Sequence, residues 1–264
     1  MGFWGAERGG GELRIRIISK KNYKELRKLR SAFKASNKGD ITIAVGGDGT
    51  FLEAARSTDK PILPIRSTDN GSVGYHADVS LKDIDRIVKR LKSKEYYVEA
   101  AGRKLVILYR SKRYYAINEA LLINALGEVS FRIYEVKNRK RALLYPYTMS
   151  GDGMIITGEI GSTAYNRSAG GPIILSNGIV AVTFINADGP YRSPLVMDMD
   201  RELEIEITKY NAYLRYDGKN IALLRPEDRF RVKCSNRELR LVRFRGMEER
   251  FSEKLRRIIE SRME

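Results

Sequence analysis

Residues 46 to 50 read Gly46-Gly47-Asp48-Gly49-Thr50, directly after the apolar run Ile41-Thr42-Ile43-Ala44-Val45. A short apolar run bounded by glycines reads as a buried strand. The following Phe51-Leu52-Glu53-Ala54-Ala55-Arg56 reads as the first turns of a helix. Glycines at such a junction let backbone N–H groups approach a phosphate, and a helix N-terminus favours negative charge. Gly46, Gly47, Gly49 and Thr50 are therefore candidate phosphate-binding residues. Asp48 is the exception, because a carboxylate in an anion cradle repels phosphate. Taking or orienting the proton of a hydroxyl beside the transferred phosphate would explain it. A lone Asp-Gly would read instead as a turn in which Asp48 caps the next helix. The strand, three glycines and helix together favour the chemical reading.

The same turn occurs in NAD kinases, in diacylglycerol and sphingosine-type lipid kinases and, more loosely, in phosphofructokinases. A second stretch discriminates among them. It runs Gly151-Asp152-Gly153, a short apolar strand, Gly161-Ser162-Thr163-Ala164-Tyr165, then Ser168-Ala169-Gly170-Gly171-Pro172. With Asn118-Glu119, which follows the strand-like Tyr114-Tyr115-Ala116-Ile117, it closely resembles the signature of the NAD kinase family. The resemblance extends from Leu13 to about Arg257. It implies phosphoryl transfer to the 2′-hydroxyl of the adenosine ribose of NAD, giving NADP. The donor would be ATP or inorganic polyphosphate, accompanied by Mg2+ or another divalent cation, with no tightly bound metal.

Carried over residue by residue, the resemblance makes Asp48 the catalytic group. The implied NAD-binding residues are Asp48, Gly49, Tyr75, Asn118, Glu119, Asp152, Thr163, Ala164, Tyr165, Ser168 and Lys219. Asn118-Glu119 would hold the adenosine side, and Tyr75 stands where the family has an aromatic near adenine. Lys219, after Asp217-Gly218, stands where many members have Gln. Three departures bear on the nicotinamide-side contacts and the donor. Ser150 replaces an Arg, Gly158-Glu159-Ile160 replaces Thr-Pro-Thr, and Asp69 replaces a common Asn. A homodimer or homotetramer is also implied. A lipid kinase would not need the second and third motifs, and an intact Asp48 argues against a non-catalytic dinucleotide or polyphosphate sensor.

The elements that must position these residues change character along the chain. Leu13–Ile18, Ile41–Val45 and Pro61–Ile65 read as strands. Tyr23, Leu26, Leu29 and Phe33 recur at helical spacing, and Ser80-Leu81-Lys82-Asp83 reads as a capping box opening another helix. Repeated strand–helix units imply a Rossmann-like α/β domain over residues 1–98. After that, strands are expected at Lys104–Tyr109, Tyr114–Ile117, Val129–Val136, Ile173–Leu175, Ile179–Ile185, Leu203–Ile207, Tyr213–Tyr216, Ile221–Leu224 and Phe230–Cys234. Asp217-Gly218 is a hairpin-turn signal. Residues 99–246 thus read as a mainly β, dinucleotide-binding domain. Phe251, Leu255, Ile258 and Ile259 mark a C-terminal helix, within 247–264, returning to the N-terminal domain. Neither Gly-x-Gly-x-x-Gly nor a Walker A loop is present, so a dinucleotide must be held another way.

Composition narrows the classes further. The chain has 264 residues, 42% of them apolar, and no apolar run near the roughly 18 residues of a membrane span. Met1-Gly2-Phe3-Trp4-Gly5 is not expected to act as a secretory leader, and Ala6 departs from the myristoylation pattern. One cysteine, Cys234, precludes an internal disulfide and suits a reducing cytoplasm; with one histidine, His76, it cannot form an ordinary zinc site. The 49 basic and 33 acidic residues leave a net charge of +16. No nucleic-acid-binding module accompanies it, so neither nucleic acid nor membrane is expected as a partner. Anionic substrates are the alternative use for that charge. Potassium chloride should then lower kcat/KM for NAD far more than kcat, because steering is screened beyond about 8 Å at physiological ionic strength. A salt-independent kcat/KM, together with tight retention of random duplex DNA in a gel shift, would reverse this reading of the charge.

Overall fold

The computed structural model describes residues 12–67, 74–190 and 192–260. The N-terminal Gly-rich stretch and Asp69 lie outside the described residues. The chain divides into two compact units, Met1–Ala101 with Leu239–Glu264, and Gly102–Glu238. In chain order the first contains β1 (Arg14–Ser19), α1 (Leu26–Ala32), β2 (Lys34–Ala35), β3 (Ile41–Gly46), α2 (Asp48–Ser57), β4 (Ile62–Arg66), β5 (Val79–Ser80) and α3 (Ile84–Lys92). Strands pair in parallel in the order β2-β1-β3-β4-β5. α1 joins β1 to β2 and α2 joins β3 to β4, in keeping with strand–helix alternation.

Burial follows the apolar pattern. Ile41, Ile43 and Val45 of β3 pack with Ile15, Leu63 and Ile65 and with Leu26 and Leu29 of α1. Ile84, Ile87 and Leu91 of α3 join the same core. Before α3, the Asp83 carboxylate accepts the Ser80 N–H at 2.9 Å and the Ser80 hydroxyl at 3.0 Å, the capping arrangement read from sequence. α2 begins at Asp48 rather than Phe51, with Gly47 in the cap position. The cap needs no side chain there, so Asp48 is free of that task.

The chain then passes through β6 (Tyr97–Tyr109) into β7 (Lys112–Ala116), β8 (Glu119–Asn124), β9 (Val129–Lys137), β10 (Lys140–Leu143), β11 (Met149–Gly151), β12 (Gly153–Gly158) and α4 (Tyr165–Ser168). It continues with β13 (Ile179–Ile185), β14 (Leu195–Asp198), β15 (Glu202–Lys209), β16 (Ala212–Tyr216), β17 (Lys219–Leu224), β18 (Arg229–Arg243) and α5 (Phe251–Glu260). In the second unit, one antiparallel sheet runs β10-β9-β15-β18 and the other β14-β13-β12-β8-β16-β17. Alternate residues from both, such as Phe131, Ile133, Ile205 and Phe230 with Leu122, Met154, Ile156 and Val182, share one core. The mainly β reading holds, and Asp217 and Gly218 form the expected turn, both at positive φ.

One expected strand is absent. Ile173–Leu175 has no ladder, because side chains take its backbone groups: Asn166 Nδ2 donates to the Pro172 carbonyl at 2.8 Å and the Ile174 N–H to Ser162 Oγ at 3.1 Å. Unanticipated strands include Glu119–Asn124, Met149–Gly151 and Leu195–Asp198. α5 belongs to the first unit, where Lys254 pairs with Asp78 at 2.6 Å and Arg257 donates to the Gly74 carbonyl at 3.1 Å.

Two signature glycines are required by packing. A Cβ on Gly161 would lie 1.8 Å from the Asn118 carbonyl oxygen, and one on Gly171 would lie 2.2 Å from Asn166 Oδ1. Gly161→Ala should therefore force the Asn118-Glu119 backbone aside and cost about 1–3 kcal/mol, as overpacking of a tight contact does. Urea unfolding of the purified variant checks this; an unchanged midpoint would mean the site relaxes freely.

Candidate active site

In the first unit the glycine turn joins β3 to α2. Gly46 has φ +151°, and a Cβ there would lie 2.6 Å from Thr50 Oγ1. Thr50 is buried, and its N–H donates to the Gly47 carbonyl at 3.0 Å. Thr50 thus serves the turn itself. Gly46, Gly47 and Asp48 are part-buried and Gly49 is exposed, beside the positive end of the helix dipole. Lys20, unremarkable in the sequence, places Nζ 3.6 Å from where a Gly49 Cβ would stand.

Tyr75 joins Asp48 in this unit, through its main chain. The Tyr75 N–H donates to Asp48 Oδ1 at 2.9 Å. Burial pushes the Asp48 carboxyl above the ordinary carboxylate range, against the Tyr75 and His76 N–H groups and the Arg257 charge, which pull it down. A raised carboxylate is a stronger base. Neighbouring His76 stacks on Phe51 at 4.3 Å between ring centroids. Its imidazole is pushed down to about 3 by burial, with Arg243 and Lys254 contributing. Neutral at physiological pH, His76 acts as a packing residue.

The second unit holds the remaining candidates at two ends of one strand. Glu119 opposes Thr157, and Gly153 opposes Ile123, in the β8–β12 ladder. At the Glu119 end, Thr157 Oγ1 donates to the Asn118 carbonyl at 2.6 Å, and Gly161 rests against that same carbonyl. Asp217, read from sequence only as a turn residue, accepts the Ile117 N–H at 3.0 Å and the Asn118 N–H at 2.8 Å. The Asp217-Gly218 hairpin, with exposed Lys219 after it, is thereby tied to Asn118-Glu119. Buried Glu119 is pushed up to about 7 by burial and by Asp217, opposed by Arg215.

Thr163 is buried, Ala164 is part-buried, and Tyr165 and Ser168 are exposed on the loop and short helix beyond Gly161. Asn166 holds that loop together: fully buried, it donates to the Ser162 and Pro172 carbonyls and accepts the Thr183 hydroxyl at 2.6 Å. No sequence signal marked it, since one Asn in a polar loop is ordinary. Asp152 sits at the other end of β12, roughly 17 Å along the strand at about 3.4 Å per residue. Its carboxylate accepts Asn124 Nδ2 at 2.9 Å and Asn186 Nδ2 at 2.6 Å. At the departures, Ser150 Oγ lies 2.8 Å from Ser130 Oγ, and the Glu159 carbonyl accepts the Ser162 hydroxyl at 2.8 Å. Burial pushes the Glu159 carboxyl up to about 7, opposed by Arg103 and the Gly178 N–H.

Sheet, glycine turn and raised carboxylate define a phosphotransferase-type site in which a carboxylate stands at a helix N-terminus. Family models agree: residues 12–96 match the N-terminal domain of ATP-NAD kinases and residues 140–244 the C-terminal domain. The NAD kinase of Acetivibrio thermocellus is 32% identical over 218 residues, covering 78% of this chain and 73% of that protein. That of Sulfurimonas denitrificans is 27% identical over 232 residues, covering 86% and 80%. The fold is shared with an NAD kinase from Archaeoglobus fulgidus solved in complex with ATP, at TM-score 0.72, 20% identity and coverage of 93% and 99%. It is also shared with a yeast NADH kinase complexed with NADH, at TM-score 0.78, 15% identity and coverage of 98% and 93%. This chain belongs to the NAD kinase family.

Glu119 supplies a pH test. Its folded value of about 7 lies above the ordinary 4.5, so its contribution to stability is fully present below about 4.5 and lost as pH rises through about 7. Glu119→Gln removes that loss. The variant should melt close to wild type at about pH 5 and several degrees higher at about pH 8.5. Glu159 is common to both proteins and cancels in the difference. A melting difference that does not vary with pH would show that Glu119 titrates normally.

Proposed function

We propose that this chain uses Asp48 as the base that takes the proton of the 2′-hydroxyl of the adenosine ribose of NAD, so that phosphoryl transfer from ATP gives NADP. The carrying observation is a carboxylate in the first turn of α2, held by the Tyr75 N–H at 2.9 Å and set among glycines at a helix N-terminus that favours phosphate. The hydroxyl oxygen forms a bond to the terminal phosphorus as the bond to the leaving diphosphate breaks. The hydroxyl proton passes to Asp48, and ADP departs. Gly47 and Gly49 amides, with Gly46 and Thr50 shaping the turn, receive the phosphates, and the Lys20 ammonium adds positive charge. A divalent cation bound to the triphosphate would screen the phosphate oxygens. The cation is assigned to the donor, because a hard divalent ion prefers the oxygens of a triphosphate.

The first unit, with α5, is the phosphate and catalytic domain, and the second binds the dinucleotide. An extended dinucleotide has two ends to recognise, and β12 carries a polar cluster at each end. Asn118, Glu119, Thr163, Ala164, Tyr165, Ser168 and Lys219 are assigned to one cluster, Asp152 to the other, and Tyr75 to the adenine beside Asp48. A homodimer or homotetramer finds support in Tyr213 and Leu223, a cross-strand pair that is 40% and 43% exposed. No helix among the described residues is long and apolar enough to cross a membrane, and the lone Cys234 suits a cytoplasmic setting.

Asp48→Asn should leave the fold intact and lower turnover by about a hundredfold or more, within the range of general-base effects. NADP formation is followed in a coupled assay, with ATP and inorganic polyphosphate as separate donors. Near wild-type turnover would sink the base assignment, and activity with polyphosphate alone would correct the donor.

A further inference from the structure

On the C-terminal helix Phe251 and Ile259 are 37% and 47% exposed and Leu255 is part-buried, while the side chains of Lys254 and Arg257 are only 14% and 21% exposed. The buried basic side chains reach one short segment, Gly74 to Asp78. Arg257 Nη2 donates to the Gly74 carbonyl at 3.1 Å. Arg243 Nη1 donates to the His76 carbonyl at 2.9 Å, and Arg243 and Lys254 both pair with Asp78, at 2.8 and 2.6 Å. Glu249 pairs with Arg257 and, at 3.2 Å, with Arg66, whose Nη1 reaches the Ala77 carbonyl at 3.5 Å. Within this clamped segment lies Tyr75, whose N–H holds the Asp48 carboxylate.

We infer that the C-terminal helix is a positioning element of the phosphoryl-transfer site: Arg257, through the Gly74 carbonyl and its own charge, fixes the peptide that aims Asp48. The inference rests on the reading of Asp48 as the base. Gly74 and Tyr75 share a peptide bond, so a shift of the Gly74 carbonyl turns the Tyr75 N–H away from Asp48. The groups facing Asp48 and its turn are Tyr75 and neutral His76 from the clamped segment, Arg257 from α5 and Lys20 beside Gly49. Arg257 is the cation that pulls the Asp48 carboxyl down against burial. An arginine that only stapled the helix would affect melting and leave the pH profile of turnover unchanged.

The test compares full-length wild type, Arg257→Gln, Arg257→Lys, Asp48→Asn and the double variant Asp48→Asn/Arg257→Gln. The readouts are kcat and KM for NAD across about pH 5–9, with thermal unfolding alongside. Arg257→Gln should lose about tenfold to hundredfold in kcat, the cost of a misplaced catalytic group, with KM within about twofold. The acid limb of its kcat profile should move to higher pH. Arg257→Lys should return that limb and recover only part of kcat, since it restores the charge but not the fork. Asp48→Asn/Arg257→Gln should be no slower than Asp48→Asn, because the two residues act as a unit. If Arg257→Gln fails to fold, Arg257→Lys decides: reduced kcat at unchanged KM supports the inference, and wild-type kcat overturns it. A wild-type kcat and acid limb in folded Arg257→Gln, with Asp48→Asn inactive, also overturns it. An active Asp48→Asn overturns the base reading instead, so the two failures are distinct.

Discussion

A carboxylate held partly out of water, in a place suited to anions, is the constraint on which the first unit turns. The first turn of α2 favours the Asp48 charge, and the Tyr75 N–H holds its Oδ1 at 2.9 Å. Removing water raises the carboxyl, and the Tyr75 and His76 N–H donors and the Arg257 charge moderate the rise. That balance is what a base needs: enough proton affinity to accept, yet ionised when substrate arrives. A direct ion pair would depress the carboxyl and spoil it. Arg257, the cation acting on Asp48, is itself engaged with the Gly74 carbonyl and with Glu249.

The second unit meets a different constraint, close approach of backbone to backbone. Gly161 lies against the Asn118 carbonyl, and a Cβ on Gly153 would meet the Leu122 carbonyl at 2.0 Å. Both glycines bracket β12, so this strand brings its two ends within reach of β8 where any side chain would push them apart. Polar groups freed by the irregular loop after β12 are met by Ser162, Asn166 and Thr183 in place of a ladder. A buried polar knot of this kind is rigid when every member is satisfied. Thr163 to Ser168 are thereby presented from a firm base.

How far the sequence could be read depends on the range of the interaction. The strand–glycine–helix junction and the Ser80–Asp83 capping box are local, and both stand where the residues indicated. Apolar periodicity marked β3, β9 and β13 because each presents buried residues at short spacing. Ile173–Leu175 misled because three apolar residues read as strand while side chains twelve and six residues away take the backbone. The contacts of Asp217 and Arg257 were not legible, since each reaches a peptide group far off in sequence. Asp217 reaches Asn118 across 99 residues and Arg257 reaches Gly74 across 183. An aspartate before glycine is sufficient for a turn, so nothing in the hairpin pointed to a second task.

Charge shows the same division between pattern and register. Glu202-Leu203-Glu204-Ile205-Glu206 and Arg229-Phe230-Arg231-Val232-Lys233 both alternate with period two, which puts all acids of one strand and all bases of the other on single faces. Register then sets Glu204 opposite Arg231 and Glu206 opposite Arg229. Arg141 and Arg231 reach Glu204 at 2.6 and 2.7 Å, and Arg229 reaches Glu206 at 2.6 Å. Burial opposes ionisation of both glutamates, but these arginines, with Tyr134 at Glu206, hold the carboxyls below the ordinary range. Single exposed pairs contribute little, whereas linked pairs share one ordering cost. Many carboxylates are thus committed within the outer sheet face of the second unit. The net charge of +16 is the excess of 49 basic over 33 acidic residues, and its effect on anionic substrates depends on which cations the ladders leave outside them.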